Sequence, residues 1–164
     1  MITLRAFQVT DKPLLVQYLN NENVTKYLSA RIPQPYTMDD AEWWIEAGCK
    51  NGFTRAIIYK DMLIGSIAAI PGEFERERSA EIGFWLAEPF WGKGLTSTAL
   101  DIFSTYIFNH TKISRLNASV FSPNKESMRV LEKCGYKLEG IFEKSLFKKG
   151  HYFNEHYYAK LNSQ

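Results

Sequence analysis

The chain has 164 residues, of which 45% are hydrophobic and 23% charged, and its formal net charge is +2. That balance excludes a disordered segment and suits one domain over residues 1–164 with a sizeable core. A charge this small gives no footprint for nucleic acid. Cys49 and Cys134 lie far apart without disulfide or metal-binding spacing, which predicts a reducing compartment. With no basic-then-apolar leader and no apolar run of about 18 residues, the expectation is a cytoplasmic chain without a membrane partner.

In chain order, "ITLRAF" alternates as a strand. "TDKPLLVQYLN" follows as a helix, with Thr10 or Asp11 to cap it and Pro13 in its first turn. "NENVTKYLS" predicts a second, short helix, and the two prolines of "RIPQPY" a loop. Thr37 opens a third helix with Asp40 three residues on, and Gly48 or Gly52 ends it. "FTRAIIY" and "LIGSIAAI", joined at Lys60-Asp61, predict an antiparallel hairpin, and "AEIGFWLA" is the next strand after a charged connection. The following helix places Leu95, Ala99, Ile102, Phe103, Tyr106 and Ile107 at helical spacing and ends near Asn109 and His110. "SRLNASVF" alternates as a strand, and "SPNKESMRVLEKCG" is a helix started by Ser122 and Pro123 and stopped at Gly135. The remainder is a long hairpin turning at "KKG", where Lys144, Lys148 and Lys149 are expected to be a solvated basic cluster. The order of elements predicts a mixed α/β (α+β) fold with a sheet of six or seven strands and about four helices.

The stretch "FWGKGLTSTALDIF", residues 90–103, carries the strongest chemical signal. A strand, then Gly92-Lys93-Gly94, then a helix beginning near Leu95 leaves amides without intrahelical partners at the positive end of a helix dipole. Glycine lets an oxyanion approach the backbone and tolerates positive φ. A tight strand-to-helix turn that holds no ligand is the plainer alternative; a nucleotide P-loop is disfavoured by the missing G-x-x-x-x-G-K spacing, and a dinucleotide fingerprint by Ser97 and by the absence of an acidic residue in "RLNASVFSPN". The pyrophosphate arm of coenzyme A, held by the amides of a short turn, is the third possibility.

"AEIGFWLAEPFWGKGLTSTAL" together with "NASVFSPNKESMRVLEKCGYKLEG" resembles the acetyl-CoA-binding half of the GNAT superfamily of N-acetyltransferases. It is most similar to the branch of ribosomal-protein serine/alanine N-terminal acetyltransferases. Trp91-Gly92-Lys93-Gly94-Leu95-Thr96 matches both glycines of the superfamily's turn, with Trp91 where Arg or Gln is usual and Thr96 where a smaller residue is usual. Asn124-x-x-Ser127 followed by "RVLEKCGY" is the second motif, and the likeness covers nearly the whole chain. The resemblance implies a mostly antiparallel sheet whose central strands splay, so that main-chain groups of Phe84, Trp85 and Leu86 pair with pantetheine as an added strand would. The glycine turn, Trp91 to Thr96, would take the pyrophosphate of acetyl-CoA.

Transfer of an acetyl group from a thioester to an amine requires loss of the amine's proton and protection of the leaving thiolate. Glu81, on the strand expected to splay, is the candidate base, against the plainer reading of a strand-face carboxylate that points to solvent or pairs with Arg78. The resemblance implies that Ser127 stands near the sulfur as acid or thiolate stabiliser, although it could equally cap the helix, and that Asn124 bonds pantetheine or holds the local turn. Members of the branch often carry an aspartate in the last hairpin where this chain has Asn154 beside Glu155, which leaves a base in that hairpin open; Tyr157 and Tyr158 are further proton-donor candidates. Tyr27, Tyr36, Trp43 and Trp44 are candidates for the acceptor wall. The histidines have no ligand spacing with the cysteines, so no metal is expected. The expected activity is acetyl transfer from acetyl-CoA to a primary amine, the α-amine of a protein above all. A polyamine, an amino acid or an aminoglycoside is the alternative acceptor, a non-catalytic acyl-CoA sensor is the other class, and the protein would be a monomer or homodimer.

Overall fold

The computed structural model describes residues 1–163, and over them seven strands form one sheet. In chain order they are β1 (Ile2–Arg5), β2 (Phe53–Tyr59), β3 (Met62–Pro71), β4 (Ser79–Leu86), β5 (Arg115–Phe121), β6 (Lys137–Lys148) and β7 (His151–Leu161). The helices are α1 (Lys12–Leu19), α2 (Glu22–Thr25), α3 (Met38–Glu46), α4 (Leu95–His110) and α5 (Lys125–Lys133). The spatial order is β1-β2-β3-β4-β5-β7-β6, and all neighbours are antiparallel except β4 and β5. That parallel pair is forced by chain order, because α4 carries the chain from the end of β4 back to the start of β5.

Tight turns fix the hairpins. Lys60 and Asp61 both take positive φ, 51° and 62°, and so do Lys149 and Gly150, 50° and 79°; two such residues match the twist of the flanking strands. β2 and β3 carry buried apolar residues on both sides, so a core forms on each face. Ile57, Ile67, Ile82, Leu116 and Tyr158 pack with Ala99, Leu100 and Phe103 of α4 and Leu131 of α5. On the other face Ala56, Ile58 and Leu63 pack with Leu15 and Tyr18 of α1 and Ala41 of α3.

Three local expectations are corrected. Asp11 does not cap α1 with its side chain. Its carboxylate instead receives both terminal nitrogens of Arg5 at 2.8 Å and the Gln8 amide at 2.8 Å, an arrangement that lets a carboxylate lie 4% exposed. The buried face of α4 is Ala99, Leu100, Phe103, Ser104 and Ile107, while Ile102 and Tyr106 are about 40% exposed, the latter stacked on His110. The helix after β5 is capped by Asn124, not by Ser122 or Pro123. Thr37 does open α3 as expected: its hydroxyl accepts the Asp40 amide at 3.2 Å and Asp40 accepts the Thr37 amide at 2.8 Å.

Asp11→Ala leaves the guanidinium and an amide without their acceptor, so it should destabilise the fold by about 2 kcal/mol, against about 1 kcal/mol for Thr37→Ala. Urea unfolding midpoints at a common slope measure both.

Candidate active site

The sheet opens in the middle. β4 pairs with β5 at Ser79–Arg115, Ala80–Leu116 and Glu81–Asn117 and no further, although both strands continue to Leu86 and Phe121. β4 stays paired to β3 through Leu86, and β5 to β7 through Phe121, so the gap lies between two supported edges. Which groups line it follows from alternation along β4. Gly72 donates to the Ser79 carbonyl at 2.9 Å and Ala87 to the Ile64 carbonyl at 2.8 Å, so odd-numbered residues bond β3 and the main chains of Phe84 and Leu86 face the gap. Trp85, expected with them, faces the other way: its carbonyl lies so close to β3 that a methyl on Gly65 would sit 2.3 Å from it. The gap therefore offers alternate residues, as a strand edge does.

The glycine turn follows directly. Gly92 and Gly94 both have φ of +73°, which a side chain disfavours, and Gly94 is the N-terminal cap of α4 with no side chain covering the first amides. Trp91 donates its indole N–H to the Leu86 carbonyl at 2.7 Å, tying the turn to the end of β4, and Lys93 stands over the Phe90 ring at 5.9 Å. Leu95 and Thr96 form the first turn of the helix, and the Thr98 hydroxyl bonds the Gly94 carbonyl at 3.1 Å. Sequence reasoning missed Lys133: a methyl on Gly94 would lie 3.9 Å from its ammonium. The last turn of α5 thus brings a cation to the positive end of α4. Cys134 fixes that approach, donating its thiol to the Ser97 carbonyl at 3.2 Å, with its pKa pushed up mainly by burial.

Before the turn, Glu88 accepts from Asn21 at 2.8 Å and from Asn23 at 3.1 and 3.3 Å, and these bonds, the Asn21 one foremost, hold its carboxyl below the usual range. The start of α2 is thereby joined to the glycine turn. Across the gap Asn124 caps α5, its Oδ1 accepting the Ser127 amide at 3.3 Å while its Nδ2 donates to the Ser127 hydroxyl at 3.0 Å. The serine oxygen is the acceptor in that bond, so its own proton is free for another partner.

On the face shared with α1 and α3, the alternation places Glu81 at the last paired position of β4, beside Asn117; it is exposed, as the plainer reading had it, with no ion pair to Arg78 among the described residues. Ser119 and Phe121 continue that face along β5, and Glu155 and Tyr157 oppose them on β7. Ser119 donates its hydroxyl to Glu155, a half-buried carboxylate in the last hairpin that faces the same way as Glu81. Phe121 packs on Phe153 at 5.3 Å and on Tyr27 at 5.8 Å. Of the lysines expected to be solvated at the β6–β7 tip, Lys144 and Lys149 are exposed, but Lys148 is tied to the protein. The Lys148 ammonium donates to the carbonyls of Thr25 at 2.8 Å, Lys26 at 3.2 Å and Leu28 at 2.6 Å, and burial followed by its neighbour Lys149 lowers its pKa.

Of the aromatic candidates, Tyr27 lies at this face. Tyr36 is in the core, its hydroxyl pKa pushed up to about 12 by burial and Asp40; Trp44 packs edge-on against Phe7 at 5.7 Å; and Trp43 is exposed beside Gly48. Tyr158 lies on the α4–α5 face and donates to Glu132 at 2.9 Å, its pKa raised to about 12 by burial and that bond, while Tyr157 stacks on Phe142 at 5.7 Å. Among the described residues no group of three or more His, Cys, Asp or Glu could hold a metal ion, and no helix is long and apolar enough to cross a membrane.

Comparison with known proteins adds the family. Residues 1–137 match the model of the acetyltransferase (GNAT) domain. The probable N-acetyltransferase YjcK of Bacillus subtilis (strain 168) is 34% identical, covering 98% of this chain and 94% of its own. The putative ribosomal N-acetyltransferase YdaF of the same organism is 26% identical, covering 99% and 92%. The crystal structure of spermidine N-acetyltransferase from Vibrio cholerae, in complex with CoA and spermine, superposes with a TM-score of 0.83 at 25% identity, covering 99% of this chain and 96% of its own. A parallel pair that opens between two supported strands, an uncapped glycine-led helix at its end and these matches have one reading: the chain belongs to the GNAT family and is an acetyl-CoA-dependent N-acetyltransferase.

Proposed function

We propose that the acceptor is the α-amine of a protein N-terminus, and that the gap beyond Glu81–Asn117 is where donor and acceptor meet. That opening carries the reading, because unpaired main-chain groups, an uncapped helix start and a carboxylate converge there among the described residues. Phe84 and Leu86 would bond the pantetheine amides. The amides of Gly92 to Thr96, with Lys93 and Lys133, would hold the pyrophosphate. Acetyl-CoA supplies an activated thioester, and the residues of the chain manage the amine's proton and the leaving thiolate. Glu81 takes the amine's proton directly or through a water as the C–N bond forms. Ser127, polarised by the Asn124 amide, keeps its proton and steadies the leaving thiolate with a hydrogen bond as the C–S bond breaks, and the proton taken by Glu81 leaves to solvent, from which the thiolate can be protonated. N–H groups of β4 within the gap are available to the transient oxyanion.

The protein acceptor is supported by the branch resemblance and by the relative named as a putative ribosomal N-acetyltransferase. A polyamine acceptor is the second reading, favoured by the likeness to the spermidine enzyme and by two carboxylates on the acceptor face.

A panel of N-terminal peptides and free polyamines assayed by CoA-thiol release separates the two. For an α-amine, kcat/KM should rise with pH and level off near about 8, whereas a lysine-like amine would carry the rise toward about 10.4. Glu81→Gln should lower kcat about 100-fold and Ser127→Ala about 10-fold with every accepted amine; unchanged turnover in both overturns the assignment. Lys133→Gln should raise KM for acetyl-CoA about fivefold, increasingly at low salt, with kcat nearly unchanged. Titration of Tm against CoA gives an independent check of that loss.

A further inference from the structure

The acceptor face ends in a pocket to which the transfer chemistry assigns no role. It encloses about 180 Å³ and is lined by Lys26, Tyr27, Lys148, Lys149, His151 and Phe153. A second cavity of about 330 Å³ shares Lys148 and Lys149 and extends beneath residues 29–34. Four of the six residues around the first are basic, and no carboxylate lines either cavity. Lys148 is occupied by three carbonyls and holds the wall together. Lys26, Lys149 and His151 are exposed and form no ion pair among the described residues. Lys26 stands over the Tyr27 ring at 5.3 Å, and that ring reaches Phe121, the last residue of the acceptor face on β5.

Charge therefore changes sign along the route. At the opening lies Glu81, and two residues further along the face Glu155, paired in register with Phe121, holds its carboxylate against Ser119; both suit an ammonium and repel a carboxylate. At the outer end lie the ammonium groups of Lys26 and Lys149, with no ion pair among the described residues, and the imidazole of His151 beside them on an aromatic floor, in a chain whose whole net charge is +2. From Asn117 to Phe121 is four strand residues, about 13 Å at about 3.3 Å each. An extended peptide with its amine at the opening spans that distance in about four residues.

We infer that the pocket formed by Lys26, Lys149 and His151 receives acidic side chains at about the fourth and fifth positions of the acceptor, so that the enzyme selects acidic N-terminal segments. This rests on the protein α-amine reading, and it sets a register: carboxylates at positions two and three meet Glu155 and are disfavoured, while those at four and five are bound.

The test uses the full chain and peptides of about ten residues, identical except for Glu-Glu, Gln-Gln or Lys-Lys at positions four and five, or Glu-Glu at positions two and three. Spermidine and free glutamate complete the set. The expected result is kcat/KM about fivefold higher for Glu-Glu than for Gln-Gln at positions four and five, lowest values for Lys-Lys, and loss of the difference at about 0.5 M salt. In Lys26→Gln/Lys149→Gln the ratio of acidic to neutral peptide should fall to about one. If that variant does not fold, the salt series and the peptide charges on the unaltered enzyme decide the matter. Equal kcat/KM for acidic and neutral peptides overturns the pocket while leaving the protein acceptor standing. Acetylation of spermidine or glutamate with no peptide accepted overturns the protein acceptor itself.

Discussion

Everything in the site depends on the early parting of β4 and β5. Two strands that share three paired positions and then separate leave main-chain groups without partners, and an unpaired buried amide or carbonyl costs about 1–3 kcal/mol. The rest of the molecule is arranged to hold that state. β3 keeps β4 straight through seven register positions, β7 does the same for β5, and the two cores press on the sheet from opposite faces. The Trp91 indole covers the Leu86 carbonyl, so part of the exposed edge is satisfied from within and the glycine turn is anchored to it by the same bond.

Around this opening the electrostatics divide by face. On the α4–α5 side the chain presents a helix start without a side-chain cap and the Lys133 ammonium, both suited to phosphate. On the other side it presents carboxylates at the opening and basic groups beyond Phe121. The two halves are mechanically joined, because Glu88 binds Asn21 and Asn23 and Lys148 clasps the carbonyls after α2. The wall of the acceptor face is thus tied to the cofactor turn at one end and to the last hairpin at the other.

Much of this was legible from local patterns. The glycine spacing, the alternation of the strands, the Thr37–Asp40 capping box and the Asn-x-x-Ser motif each act through neighbours in sequence, and each marks an element seen in the structure. The errors came where a distant partner decided the outcome. Asp11 is an ordinary cap in sequence, but Arg5 outcompetes the helix amides for its oxygens. Ile102 and Tyr106 fit the helical period as well as Leu100 does, yet only Leu100 of the three falls on the side of α4 that meets the sheet. Tyr36 and Trp44 have the aromatic character of a substrate wall, and packing against α1 and Phe7 places them in the core. Lys133 carried no local signal at all, and Glu155 only its place beside Asn154, since their meaning comes from Gly94 and Ser119, residues 39 and 36 positions away in the sequence.

The sequence by itself determined the family, the donor and the turn that would grip it, because short-range backbone chemistry and two ordered motifs are written in consecutive residues. It also determined that strands of this length would form a mixed sheet. Only the tertiary structure decided which main-chain groups of β4 face the gap, since that parity is set by the register with β3. Only it decided which carboxylates share a face and where the lysines of the last hairpin end up. Those are relations between strands and loops far apart in the chain, fixed by pairing and burial and not by the identity of their neighbours.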